Sequence, residues 1–312
     1  MAFSATASTA AGGAWLSVSP SAGTTPGNAT VSVNPAGLPA GTYQGTVTIT
    51  VAGATNSPVT LPISLIVTPA AFTAPTVTAV QHGASYISTS LAPGLNILIL
   101  GANMGPATLV TYQVGSNGAL LTTLTGTQVT FDGIPAPIVL TSNTMVSVMV
   151  PYELAGRVST TMVVSYNGAA STPLQIRVVD TAPGIYTQDA SGQGAILNEN
   201  GTLNSPLNPE VAGHYIQIYG TGEGQTSPEG VDGLITTDQL PLPAPNLPVT
   251  VAIGGQEVPA SDIAYAGEAP GGISGVIQIS AKIPEGVASG SVPVVFRVGG
   301  VPSQANVTVS VR

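Results

Sequence analysis

Four carboxylates fall within sixteen residues, at Glu223, Glu229, Asp232 and Asp238, in a stretch that holds glycines and no cationic side chain. Calcium collects roughly six to eight oxygen ligands from carboxylates, amides and backbone carbonyls, so this stretch is the sequence's best candidate for a metal site. Asp189, Glu199 and Asn200 make a second acidic turn. Neither carries the D-x-[DN]-x-[DN]-G spacing of a dedicated calcium loop, and a run of acids is often simply a hydrated surface. Calcium is thus one reading, a solvated loop the other, and no further cofactor is implied.

Nucleophilic or acid–base catalysis finds little material. His82 and His214 are the only histidines, and Lys282 the only lysine. A Ser–His–Asp arrangement needs a base oriented by a carboxylate, but no acid precedes Asp132, and no serine sits in a G-x-S-x-G elbow. The run Gly220-Thr221-Gly222-Glu223-Gly224 would cradle phosphate only if a helix followed it. A segment rich in Ser, Pro and acids follows instead, so a strand-end turn is expected. No catalytic residue is assigned, and the chain is read as a non-enzyme.

The elements that must carry these residues are strands. Valine, isoleucine and threonine alternate with small polar residues, helical spacing is absent, and glycine (38) and proline (27) punctuate the 312-residue chain. In the first 70 residues strands are expected at 3–8, 15–19, 29–33, 42–51 and 59–68. Turn chemistry separates them at Pro20-Ser21-Ala22-Gly23, Asn34-Pro35-Ala36-Gly37 and Gly53-Ala54-Thr55-Asn56. A stiff linker is expected over 68–75.

Beyond the linker the chain repeats itself. Leu95 to Gly105 matches His214 to Gly224, each an apolar alternating strand ending in G-x-x-x-G. Phe131-Asp132-Gly133-Ile134-Pro135 matches Ile253-Gly254-Gly255-Gln256-Glu257-Val258-Pro259, and Val150-Pro151 answers Ile283-Pro284. Val163-Val164 with Asn167-Gly168 answers Val294-Val295 with Gly299-Gly300, and the seam lies near Asp180 to Gly184. The alignment pairs His214 with Leu95, which makes position 214 a strand position first. Short strands with frequent turn signals predict an all-β chain of three tandem immunoglobulin-like β-sandwich domains, at 1–70, 75–181 and 182–312. The last carries an acidic, proline-rich surface loop at 225–248.

Particular stretches resemble known families. Trp15 to Pro26, Val31 to Leu38 and Ala40 to Ile49 are similar to a BACON domain, an immunoglobulin-like module of bacterial surface and secreted proteins, over residues 1–68. Residues 75–312 resemble the uncharacterised carboxy-terminal domain of acidobacterial surface proteins, through Ala182 to Thr187, Leu203 to Pro206, Ile218 to Gly222 and Val150 to Leu154. Each half also resembles a TIG/IPT immunoglobulin-like domain through its G-x-x-x-G turn and small hairpin. The resemblances imply an extracellular or cell-surface location and no enzymatic activity. A BACON domain has further strand sequence before the segment that begins here at Phe3, so the first domain is expected to lack its first strand.

Charge placement bears on partners. The net charge is −9, yet residues 1–131 contain no Asp, Glu, Lys or Arg, and from Asp189 to Glu268 there are ten acids and no Lys or Arg. Nucleic acid is excluded as a partner, since phosphate binding needs clustered Lys and Arg. No apolar run reaches the roughly 18 residues of a membrane-spanning helix. A first domain without charge, short of a strand, exposes an unpaired edge that another chain can fill. Self-association into an oligomer or head-to-tail filament is therefore expected, with an adhesin or display stalk as the alternative. Carbohydrate binding would want exposed aromatics, but these make up 4% of the chain, and Trp15 is expected in the core.

Overall fold

A computed structural model describes residues 1–68, 73–88, 90–189, 192–237 and 241–312. The expected linker lies partly outside these residues. The chain divides into two compact units, Met1–Ala71 and Phe72–Arg312.

Unit 1 contains β1 (Ala2–Thr9), β2 (Leu16–Ser19), β3 (Ala22–Thr24), β4 (Thr30–Val33), β5 (Gly41–Val51) and β6 (Val59–Val67). One sheet has the order β3-β1-β5-β6, and the other is the β2-β4 pair. The segment read as a turn at Pro20 to Gly23 thus holds a short edge strand. Glycine permits it, because a Cβ at Gly23 would come within 2.7 Å of the Phe3 ring. The core is small. Trp15, Leu16 and Val47 are its buried members. The Trp15 ring meets Tyr43 edge-on at 6.5 Å, and its indole N–H donates to the Ala11 carbonyl at 3.0 Å.

Unit 2 holds two sandwiches of matching topology. In the first, β7 (Thr76–His82), β8 (Asn96–Ala102), β9 (Thr127–Phe131), β10 (Ile138–Thr141), β11 (Met145–Met149), β12 (Ser159–Tyr166) and β13 (Leu174–Arg177) are the main strands. One sheet runs β7-β8-β11-β10, while β12 lies between β9 and β13 in the other. In the second sandwich the main strands are β14 (Gly184–Ile185), β15 (Ile196–Asn198), β16 (Tyr215–Thr221), β17 (Val249–Ile253), β18 (Ile263–Glu268), β19 (Val276–Lys282), β20 (Gly290–Val298) and β21 (Thr308–Val311). Here β16-β19-β18 repeats β8-β11-β10, and β17-β20-β21 repeats β9-β12-β13. The period-two pattern explains both cores: along β20, Val292, Val294, Phe296 and Val298 are buried while intervening side chains face outward.

The acidic insertion departs from a plain surface loop. Its described part straps across both sandwiches: Leu120 N–H donates to the Gly233 carbonyl at 2.8 Å, Ile235 N–H to Gly118 at 3.0 Å, and Ser274 N–H to Leu234 at 2.8 Å. Thr226 and Thr236 are buried. Backbone hydrogen bonding, invisible in its polar composition, draws the segment in.

Candidate functional site

The strap helps close a buried acidic cluster. Tyr152 lies in a single 3-10 turn after Pro151 in the first sandwich, Glu223 in the turn after β16, and Glu268 at the end of β18. The Tyr152 hydroxyl is 3.3 Å from both Glu223 Oε1 and Glu268 Oε1, and the Ser274 hydroxyl donates to Glu268 Oε1. Tyrosine and serine hydroxyls each supply one hydrogen, so two hydrogens serve three contacts. A proton on one of the carboxyls would supply the third and relieve the repulsion between them.

Burial favours that protonated form. Glu223 is 1% exposed, and its Oε2 has no hydrogen-bond partner. Loss of water, with Glu268 adding repulsion, pushes the Glu223 carboxyl up to about 8. Burial also raises Glu268, and it raises the Tyr152 hydroxyl well above its ordinary range with help from both carboxylates. A proton held between two buried carboxyls therefore sits at the junction of the two sandwiches.

The other candidate ligands have different surroundings. Asp232 accepts the Tyr152 backbone N–H at 2.8 Å, and burial, then Glu153, pushes its carboxyl up to about 6. Glu229 is exposed and accepts the Gln225 amide at 3.1 Å. Asp238 lies outside the described residues. Among the described residues no group of three or more acidic or histidine side chains is arranged to hold a metal ion. Glu268 and Ser274 carry no sequence signal linking them to Glu223, whereas Tyr152 lies in the Val150 to Leu154 stretch already singled out.

Both histidines have structural surroundings. His82 is buried; its Nε2 donates to the Ala182 carbonyl at 2.8 Å, and its Nδ1 accepts the N–H groups of Ala84 at 3.0 Å and Ser85 at 3.3 Å. These contacts fix the neutral Nε2–H tautomer, and burial lowers the imidazole's proton affinity. His214 precedes β16, with Nδ1 3.1 Å from Glu199 and 3.3 Å from Glu210. In the glycine turn, Gly222 and Gly224 adopt φ of +84° and +79° and pack against the Ala182 and Asp180 carbonyls, where a Cβ would collide.

The remaining candidate is the open side of unit 1. In antiparallel register Leu16 pairs with Val33 and Val18 with Val31, while Val47 pairs with Leu61 and Ile49 with Val59. Paired residues share a sheet face, so all four partners point to the core side. Yet Val31, Val33, Val59 and Leu61 are 40%, 47%, 45% and 41% exposed. The two-stranded sheet is too narrow to cover them.

These features define an all-β chain of tandem immunoglobulin-like sandwiches. Residues 75–178 match the IPT/TIG domain family, which covers the first sandwich of unit 2. No curated protein matches the sequence. Among solved structures, a Bacteroides ovatus protein, SGBP-B of the mixed-linkage glucan utilization locus in complex with a mixed-linkage heptasaccharide, is 12% identical at a TM-score of 0.30. The alignment covers 99% of this chain and 60% of that one. Domains 4–9 of the surface layer protein SbsC are 14% identical at a TM-score of 0.22, covering 99% of this chain and 38% of that one. The chain thus spans less than two thirds of either structure, and neither likeness carries an argument about function.

Proposed function

We propose that the protein is a structural subunit of an extracellular or cell-surface assembly, joined through the open side of unit 1. The observation that carries this reading is the exposed, core-facing row of Val31, Val33, Val59 and Leu61 beside the edges of β4 and β6, which pair with no further strand among the described residues. An added strand from another copy would cover those side chains and pair with the open backbone. Unit 1 contains no charged side chain to oppose the approach of an identical chain. Contact between one patch and a different patch on the next copy is heterologous, and without closure it builds a filament. The surface location is supported by the resemblance of both regions to modules of bacterial surface proteins.

Electron microscopy and sedimentation of the purified chain test this. Filaments or concentration-dependent oligomers are expected from the native sequence, and the Val31→Lys/Val33→Lys variant is expected to sediment as a monomer. A native chain that stays monomeric at high concentration with unit 1 folded would overturn the reading. An adhesive or display role is the second reading, favoured by a groove on unit 2.

A further inference from the structure

The geometry points to a binding site on unit 2, independent of the open side of unit 1, that takes a neutral oligosaccharide chain. Two depressions of about 700 and 410 Å³ share Ser85 and Gln304 in their walls, so they adjoin as one groove. Each has the size of an ordinary small-molecule site. The groove follows the seam between the two sandwiches, with Asp180 along one part and Asn306 along the other.

Tyr86 stands in this groove with 56% of its surface exposed, at a backbone φ of +59°. A bulky side chain rarely adopts this left-handed conformation. Here it is imposed from below: the Tyr86 N–H donates to the His82 carbonyl at 2.9 Å, and the His82 N–H donates to the Ile87 carbonyl at 2.9 Å. The buried His82 ring holds the turn through the Ala84 and Ser85 amides. An aromatic ring kept exposed on a strained, rigidly anchored turn is a mark of a binding loop.

The chemistry of the walls selects the ligand. Ser85 and Asn306 offer donors and acceptors, and Asp180 offers acceptors alone. Gln304 is rigid, its side-chain amide paired with both backbone groups of Ile185 at 2.9 and 2.6 Å. None of the five basic residues lines either depression, so a phosphate, nucleic acid or acidic sugar meets no countercharge. A pyranose presents an apolar C–H face to an aromatic ring and a rim of hydroxyls to such groups. Two adjoining depressions of about 700 and 410 Å³ give room for more than one linked unit.

Calorimetric titration of the full chain with cellohexaose, xylohexaose and mannohexaose tests the site, with oligogalacturonate and tetralysine as charged controls. At least one neutral hexasaccharide is expected to bind more tightly than either control. Tyr86→Asn keeps a residue that tolerates positive φ but removes the ring; it is expected to leave Tm unchanged and weaken binding at least about tenfold. Tyr86→Phe retains the ring and is expected to retain binding. Absence of binding by all three neutral sugars, preference for tetralysine or oligogalacturonate, or undiminished binding by Tyr86→Asn would each overturn the assignment.

Discussion

The Tyr152 hydroxyl of one sandwich lies 3.3 Å from the Oε1 of Glu223 in the other, and that carboxyl is sealed from water at 1% exposure. The contact makes the junction of unit 2 depend on a proton. Folding raises the Glu223 carboxyl from its ordinary 4.5 to about 8, so between those values the folded unit binds more protons than the unfolded chain. Stability then falls as pH rises: the contribution is complete below pH 4.5 and gone above about 8. Asp232, raised to about 6, acts in the same direction. Allowing for relaxation, the loss is about 3 kcal/mol, or roughly 5–10 °C in the Tm of unit 2. Melting curves at pH 5 and pH 8.5 measure it, and Glu223→Gln, neutral at both, is expected to shrink the difference to the part that Asp232 contributes.

Tyr152→Phe is expected to destabilise unit 2 by about 1–3 kcal/mol, because it removes the hydroxyl that bridges two buried carboxyls. The loss should shrink when Glu223 is already glutamine, since the amide supplies its own hydrogens. Denaturant unfolding of the two single variants and the double variant reads this coupling.

Chelation is expected to leave the Tm of the chain unchanged. Glu223 is engaged in the junction, Asp232 caps the Tyr152 amide, and Glu229 is exposed beside Gln225. A melt with EDTA against one with added calcium checks this, and a shift of several degrees would return the 223–238 segment to the list of cation sites.

Repetition and period-two alternation made the sandwiches legible. Leu95 to Gly105 and His214 to Gly224 fold as matching strands with matching neighbours because each needs the same two-faced burial. The junction was not legible. Glu223, Glu268 and Tyr152 meet only because two sandwiches pack against each other, and no local spacing encodes a contact across 71 or 116 residues. Tyr86 was hidden for another reason: its left-handed turn is dictated by His82 rather than by glycine or asparagine at that position. The polar composition of 225–248 marks an irregular segment with exposed residues such as Glu229 and Val231, whereas its backbone hydrogen bonds to both sandwiches leave no trace in composition.

Trp15→Ala is expected to unfold unit 1 and leave unit 2 standing. Trp15 is 3% exposed and is the one large side chain among the unit's described buried apolar residues, Ala5, Leu16 and Val47 being smaller, so its removal takes away much of what little apolar surface the unit hides. Truncating a buried aromatic costs about 3–5 kcal/mol, comparable with the whole stability of so small a unit. Unit 2 has two separate, larger cores and shares none of these residues. Calorimetry of the native chain is expected to resolve a weaker transition from a stronger one, and Trp15→Ala to abolish the weaker alone. A strand-filled assembly adds a further consequence: the weaker transition moves to higher temperature as protein concentration rises, because the added strand binds only the folded unit.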